Sequence, residues 1–154
     1  MSTEFHVKPI EILLVEDNPG DAELVLDFLE QSKVKNTINW VKNGDEAMGL
    51  LHNLGEYAGK PIPDLILLDL NLPGKDGREV LAEVKADKKL KHIPVVVLTS
   101  SKAEVDIAGS YNLSANAFIT KPVNLEQFVK VVRSIDDFWL SVARLPTSGG
   151  ETRA

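Results

Sequence analysis

The chain has 154 residues, about the length of one domain, and its 44% hydrophobic and 26% charged residues are typical of a globular protein. Seventeen Lys and Arg against 23 Asp and Glu give a net charge of −6, which argues against direct nucleic-acid binding. Cysteine is absent, so disulfides and cysteine-ligated metal sites are excluded. The apolar runs are too short to span a membrane and no secretory signal begins the chain, so we expect a cytoplasmic protein without a membrane partner.

Five short apolar or β-branched runs alternate with segments of helical periodicity. Strands are predicted at residues 10–15, 37–41, 65–68, 95–99 and 117–120. The third and fourth runs are apolar almost throughout, which indicates strands buried on both faces of a parallel sheet. Between the runs, apolar residues follow helical spacing, as in Ala22, Val25 and Leu29. We therefore predict a doubly wound α/β sheet with helices on both faces, in which ligands bind at the carboxyl ends of the strands.

Two segments fall outside this alternation. Residues 52–63 contain glycines and prolines at several positions and are predicted to form a surface loop, whose role the sequence does not indicate. Residues 146–154 are rich in turn formers and are predicted to be a disordered tail. We therefore predict an N-terminal extension at residues 1–8 and a single folded domain at residues 9–145.

Acidic residues directly follow or end two of the predicted strands. Glu16 and Asp17 follow the first strand, and Asp69 follows the third. If these strands are neighbours, three like charges crowd at one edge of the sheet and repel each other unless a cation joins them. Oxygen ligands of this kind suit Mg²⁺ or Mn²⁺, whereas zinc prefers His or Cys. Strand-end acids also cap helices and turns, but their occurrence after two buried strands favours a metal site.

Two further residues fall at the same predicted edge. Thr99 ends the fourth strand and Lys121 follows the fifth. A hydroxyl and an ammonium group that converge on a carboxylate beside a metal can neutralise a phosphoryl group during transfer. In this interpretation Asp69 is the nucleophile. Each residue by itself is an ordinary strand-end or surface residue, so the prediction depends on their occurring together.

Taken together, these motifs resemble a two-component response regulator receiver domain over residues 9–140. The resemblance is carried by Glu16-Asp17, by Asp69 within the run 68–77, by Thr99-Ser100 and by Lys121-Pro122. It implies a flavodoxin-like fold, a five-stranded parallel sheet in the order 2-1-3-4-5 with five helices. It also implies that Asp69 is the phosphoacceptor, that Asp17 and Asp69 are metal carboxylates, that Asn71 supplies a backbone carbonyl ligand, and that Glu16 binds the metal through water.

The resemblance assigns further roles near the fifth strand. Thr99 and Lys121 are expected to bind the phosphoryl oxygens, and the Lys121-Pro122 bond is cis in this family. Phe118 occupies the position of an aromatic switch residue that turns inward when Thr99 moves, although it could also simply pack at the sheet edge. Ser101 is short where rapidly decaying members often carry a longer polar group, which predicts a persistent phosphoryl group.

The sequence also predicts how such a receiver would act. The chain ends soon after the predicted fifth helix, so output is expected through a partner or self-association. The loop before strand three, the run 136–139 and Leu145-Pro146 resemble small receivers that pair with cyanobacterial phytochrome histidine kinases. The partner is then a sensor histidine kinase, met by the first helix, at about residues 21–30. Val131, Phe138 and Leu145 recur at seven-residue spacing, which predicts a homodimer through strands 4 and 5 and helix 5.

Two alternative functions remain open to the sequence. A phosphatase of the haloacid dehalogenase type also uses an aspartyl phosphate and Mg²⁺, but it needs an acid where Asn71 stands. A degenerate receiver would act only as a binding module, which the complete set of Asp17, Asp69, Thr99 and Lys121 argues against. A receiver is not an enzyme beyond self-phosphotransfer and slow autodephosphorylation.

Overall fold

The computed structural model describes residues 9–31, 35–100, 117–121 and 123–133. Strands and helices alternate along the chain, as the hydrophobic pattern predicts. The elements are β1 (Ile10–Val15), α1 (Pro19–Glu30), β2 (Asn36–Val41), α2 (Gly44–Leu51), a 3₁₀ helix (Gly55–Tyr57), β3 (Leu65–Asp69), α3 (Gly77–Ala86), β4 (Val95–Thr99), β5 (Ala117–Thr120) and α4 (Leu125–Arg133). In these described ranges no helix is long and apolar enough to cross a membrane.

The strands form one parallel sheet in the order β2-β1-β3-β4-β5. The doubly wound fold and the strand order predicted from the sequence are confirmed. Four α-helices lie in the described ranges instead of the five expected, and the segment between β4 and β5 that would hold another, residues 101–116, falls outside them. Strand β2 begins one residue earlier than predicted, β3 extends to Asp69, and α1 begins at Pro19 instead of about Asp21.

Alternation along the strands divides the core into two layers, one on each face of the sheet. The α1–α4 face is covered by α1 and α4, and its buried residues include Ile12, Leu14, Ala22, Val25, Leu67, Leu98 and Phe128. The α2–α3 face is covered by α2 and α3, and its buried residues include Leu13, Val15, Met48, Leu51, Leu68, Val80, Leu81 and Val97. Strands β3 and β4 are buried at every position because helices cover both of their sides.

Side-chain caps determine where three of the helices begin. The Asn18 side chain accepts a hydrogen bond from the Asp21 amide at 3.0 Å, and Pro19 occupies the first turn of α1. Asn43 caps α2 in the same way, and Asp76 and Glu79 form a reciprocal capping box at the start of α3. Helices α1 and α2 begin a few residues after the preceding strand, and α3 begins after a longer loop but against the main chain at the end of β3. The caps therefore also define the loops along that edge of the sheet.

The predicted loop at residues 52–63 lies mostly on the surface. Its side chains include the exposed Leu54 and Ile62, whereas Tyr57 packs against the core of the α2–α3 face. Other predictions concern residues outside the described ranges. These are the extension at residues 1–8, the tail at residues 146–154, and the roles of Ser101, Pro122, Phe138 and Leu145.

Candidate functional site

The acidic residues singled out from the sequence meet at the carboxyl ends of β1 and β3. These two strands are neighbours in the sheet, so Glu16 and Asp69 lie side by side. Glu16 is 0% exposed and Asp69 is 3% exposed, whereas Asp17 is exposed to solvent. Two buried carboxylates this close are costly unless cations or hydrogen bonds compensate for their charge.

Lys121 supplies one such cation from the end of β5. Its Nζ atom lies 2.8 Å from Glu16 Oε1 and 3.2 Å from Asp69 Oδ2, and the side chain is only 11% exposed. A third carboxylate, that of Asp21 in the first turn of α1, lies 3.1 Å from the same nitrogen. The predicted convergence of Lys121 on Asp69 is present, and Asp21 is a partner that the sequence did not indicate.

The acids exceed the positive charge at this edge of the sheet. Carboxylate oxygens of Glu16, Asp17 and Asp69 all lie within 4.8 Å of one another. Asp21 adds a fourth acid at this edge, and in the described part of the chain Lys121 is the one cation that pairs with these acids. A hard divalent cation is what an excess of clustered oxygen ligands favours. The donor set therefore fits Mg²⁺ or Mn²⁺, as the sequence predicts.

The crowding changes the proton affinities of two buried groups. Burial raises the pKa of Glu16 from 4.5 to about 7, assisted by the neighbouring Asp69 and opposed by the hydrogen bond from Lys121. Burial lowers the pKa of Lys121, but the hydrogen bond to Glu16 and the charges of Asp69 and Glu16 outweigh it, so the pKa lies above its ordinary value. Lys121 therefore remains an ammonium group throughout the physiological range.

Main-chain contacts hold the two acidic segments. The amide of Asn18 donates to Glu16 Oε2 at 3.1 Å, and the amide of Asn71 donates to Asp69 Oδ1 at 3.1 Å. The Trp40 indole Nε1 donates to the main-chain oxygen of Glu16 at 2.7 Å, while the Glu16 amide bonds to Val41. Two hydrogen bonds to β2 thus hold the main chain of Glu16, one at its oxygen and one at its amide. The sequence analysis missed Trp40, because its role depends on the pairing of Leu14 with Trp40 across β1 and β2.

Thr99 and Phe118 lie on the other side of the sheet. Thr99 is fully buried, and alternation along β4 places it with Val95 and Val97 on the α2–α3 face. Phe118 is half-buried and packs against the core of that same face. The Lys121 amide donates to the Thr99 main-chain oxygen at 2.7 Å, which ties the end of β5 to the end of β4. The two predicted switch residues therefore share one face of the sheet.

A glycine allows α3 to begin directly against the backbone of Asp69. A Cβ atom at Gly77 would lie 2.2 Å from the Asp69 main-chain oxygen and 2.6 Å from the Leu70 Cα, distances that no side chain tolerates. The Gly77 amide also donates to the Leu70 oxygen at 3.0 Å. Helix α3 is therefore fastened to the strand end that carries Asp69.

Residues 12–133 match the model of the response regulator receiver domain. The chain therefore belongs to the response regulator receiver family. This membership agrees with the fold, the strand order and the acidic cluster, and it favours the receiver interpretation over both the phosphatase and the degenerate binding module.

The relatives include response regulators of phytochromes. The chain is 49% identical to response regulator Rcp1 of Synechocystis sp. (strain PCC 6803), over 91% of this chain and 95% of Rcp1. A solved Mn²⁺-bound form of Rcp1 has a TM-score of 0.72 and 49% identity, over 90% of this chain and 100% of that one. The bacteriophytochrome response regulator AtBRR has a TM-score of 0.80 and 46% identity, over 86% and 96%. The phosphorylated cyanobacterial phytochrome response regulator RcpA has a TM-score of 0.73 and 53% identity, over 91% and 100%.

Proposed function

We propose that this receiver accepts a phosphoryl group on the carboxylate of Asp69 and relays it as a signal. The observation that carries the proposal is the position of Asp69, which is buried beside Lys121 and within 4.8 Å of the other acids of the cluster. An anionic phosphoryl group can approach this site only if cations balance the carboxylates. Lys121 supplies one positive charge, and the donor set fits a divalent metal for the remainder.

In the proposed transfer, an Asp69 carboxylate oxygen attacks the phosphorus atom of the donor. The bond between phosphorus and the leaving group of the donor breaks as the aspartyl phosphate bond forms, and no proton is taken from Asp69. The Lys121 ammonium binds the phosphoryl oxygens, and the Thr99 hydroxyl is proposed to reach them from the carboxyl end of the neighbouring strand β4. Since Lys121 stays protonated, it neutralises charge without acting as an acid or base.

The metal would be held by this chain's own oxygens. Asp17 and Asp69 are the proposed carboxylate ligands of Mg²⁺ or Mn²⁺, Asn71 supplies a main-chain carbonyl, and Glu16 binds through water. When bound, the cation neutralises the cluster and polarises the incoming phosphoryl group. The proposal is supported by the closeness of the three carboxylates and by the Mn²⁺-bound form of the related Rcp1.

The direct experiment is incubation with acetyl phosphate, a small phosphodonor that needs no kinase. Wild type with Mg²⁺ should accumulate an acyl phosphate, and excess chelator should prevent it. An Asp69→Asn variant should stay folded, because it removes one of several crowded charges, but it should accept nothing. Labelling that proceeds undiminished in chelator would contradict the metal assignment, and a fully labelled Asp69→Asn protein would contradict the mechanism.

The proposed donor in the cell is a sensor histidine kinase, and a phytochrome is the kinase type that the relatives favour. Helix α1 is the proposed contact surface, and output through a partner or a second copy completes the relay. Phosphotransfer from a purified phytochrome histidine kinase tests this part separately. Transfer from a kinase of another sensor class, with none from the phytochrome, would contradict it.

We also propose a homodimer through β4, β5 and α4, with Phe118 and Thr99 as the switch that phosphorylation acts on. Val131 of α4 is half-buried and packs partly against the α1–α4 core, while Phe138 and Leu145 would extend the surface. Sedimentation of wild type and Phe138→Asp, each with and without a phosphoryl mimic, tests the interface. A wild type that stays monomeric at tens of micromolar in both states would contradict it, as would a variant that associates equally well.

A further inference from the structure

The Lys121 ammonium has three hydrogen-bonding protons, and three carboxylates surround it. Glu16, Asp21 and Asp69 lie 2.8, 3.1 and 3.2 Å from its nitrogen. Two of these three, Glu16 and Asp69, also belong to the cluster whose oxygens can hold a metal ion. The third, Asp21, stands outside that cluster and comes from a helix instead of a strand end.

Under the proposed function, phosphorylation affects these three partners of Lys121 differently. On phosphorylation, the Asp69 carboxylate becomes an acyl phosphate whose negative charge lies on the phosphoryl oxygens, and Glu16 would face the metal. The acceptor whose own chemistry does not change is Asp21. Lysine has a flexible stem, so an ammonium that must shift from a carboxylate oxygen to a phosphoryl oxygen is better positioned if one acceptor stays in place.

Asp21 is itself held firmly. Its amide is bonded to the Asn18 cap at 3.0 Å, and the next residue, Ala22, is completely buried on the α1–α4 face. Its side chain is 36% exposed, so it reaches Lys121 from the surface without being part of the buried acidic pair. Helix α1 therefore presents the Asp21 carboxylate from a fixed main-chain position to the flexible Lys121 side chain.

We propose that Asp21 is a positioning residue that holds the Lys121 ammonium for contact with the phosphoryl group. This inference rests on the proposed function and adds to it a residue of α1 that acts through Lys121. Asp21 thereby links helix α1, which is proposed to contact the kinase, to the site that receives the phosphoryl group.

The test compares rates of labelling by acetyl phosphate at saturating Mg²⁺. Asp21→Asn should slow labelling about three- to fivefold, the upper part of the range expected for one lost, partly exposed ion pair. Asp27→Asn makes the same change on an exposed position of the same helix and should leave the rate within about twofold of wild type. Asp21→Glu keeps the carboxylate and should retain part of the wild-type rate. This second variant provides the test if Asp21→Asn folds poorly.

A double-mutant cycle with Lys121→Gln distinguishes positioning from a general charge effect. In that background Asp21→Asn should produce no further slowing, because the group that it positions is gone. An unchanged rate in Asp21→Asn, or an equal slowing in both backgrounds, would overturn the inference while leaving wild-type labelling intact. A wild type that is not labelled at all would instead overturn the proposed function.

Discussion

The two faces of the sheet carry different chemistry at the same carboxyl edge. On the α1–α4 face, the buried charges of Glu16, Asp69 and Lys121 meet, with Asp21 reaching them from α1. The α2–α3 face carries two uncharged residues, the buried Thr99 at the end of β4 and Phe118 near the start of β5, and Phe118 packs against the apolar core. Neighbouring residues of a strand point to opposite faces of the sheet. A residue whose charge changes on one face is therefore next in sequence to a residue that packs on the other face.

Breaking the charge balance on the α1–α4 face should have the largest effect on stability. In metal-free protein, Lys121→Met should lower the free energy of unfolding by about 3 kcal/mol, because it leaves buried carboxylates without their cation. The matched control on α3 is Lys85→Met. Among the described residues, Lys85 donates to neutral main-chain oxygens alone, those of Lys91 and Ile93, so a loss of about 1 kcal/mol is expected. Urea denaturation measures both, and equal losses would refute the contrast between the faces.

The stability of metal-free protein should also depend on pH through Glu16. Burial raises its pKa to about 7, so between 4.5 and 7 the folded state binds more protons than the unfolded state. The stabilisation is complete below pH 4.5 and is lost as the pH rises through 7, by at most about 3 kcal/mol. Urea denaturation from pH 5 to pH 8 should show this decline in wild type and a flatter profile in Glu16→Gln. Identical profiles would contradict the assignment.

A substitution at the start of α3 should disrupt its close contact with the end of β3. Gly77→Ala should lower the free energy of unfolding by about 2 kcal/mol, because the new Cβ meets the main chain of Asp69 and Leu70. Gly49→Ala in α2 is the matched control, since its Cβ would meet Tyr57 at an ordinary 3.4 Å. A helical alanine there should stabilise the protein by about 0.5 kcal/mol. Chemical denaturation that gives both variants the same sign would rule out this explanation.

The smallest effect on stability is expected from the hydrogen bond between the Trp40 indole and the main-chain oxygen of Glu16. Trp40→Phe should cost about 1 kcal/mol and should weaken Mg²⁺ binding a few-fold, because the main chain before Asp17 loses its donor. Ile38→Val removes a methylene from the same strand and face, so it should reduce stability without changing metal affinity. Calorimetric titration with Mg²⁺ separates the two variants. Unchanged affinity in Trp40→Phe would show that the bond serves stability only.

The sequence predicts most of this fold because its signals are local. Strands β3 and β4 are apolar runs, and the acid or hydroxyl that ends each run marks the carboxyl edge. Because the strands are parallel, the positions of the strand ends are enough to place Glu16, Asp69 and Lys121 at one edge of the sheet. These parts of the site follow from strand positions and from the direction of the chain.

Asp21 and Trp40 could not be assigned in this way. The contact of Asp21 with Lys121 depends on how α1 packs on the sheet, and that of Trp40 with Glu16 depends on the register of β1 and β2. One signal for Asp21 was available, since the Asn18-Pro19 start of α1 places it in the first turn, beside the carboxyl edge. Its partner across 100 residues of sequence was not predictable.

The most direct test of the central claim is to locate the phosphoryl group. Wild type labelled by acetyl phosphate in Mg²⁺ is reduced with borohydride, which converts an aspartyl phosphate to homoserine, and the peptides are measured by mass spectrometry. Conversion at residue 69, with Asp17 and Asp21 unchanged, is the predicted result. Conversion at any other acid of the cluster, or none anywhere, would contradict the assignment of Asp69 as phosphoacceptor.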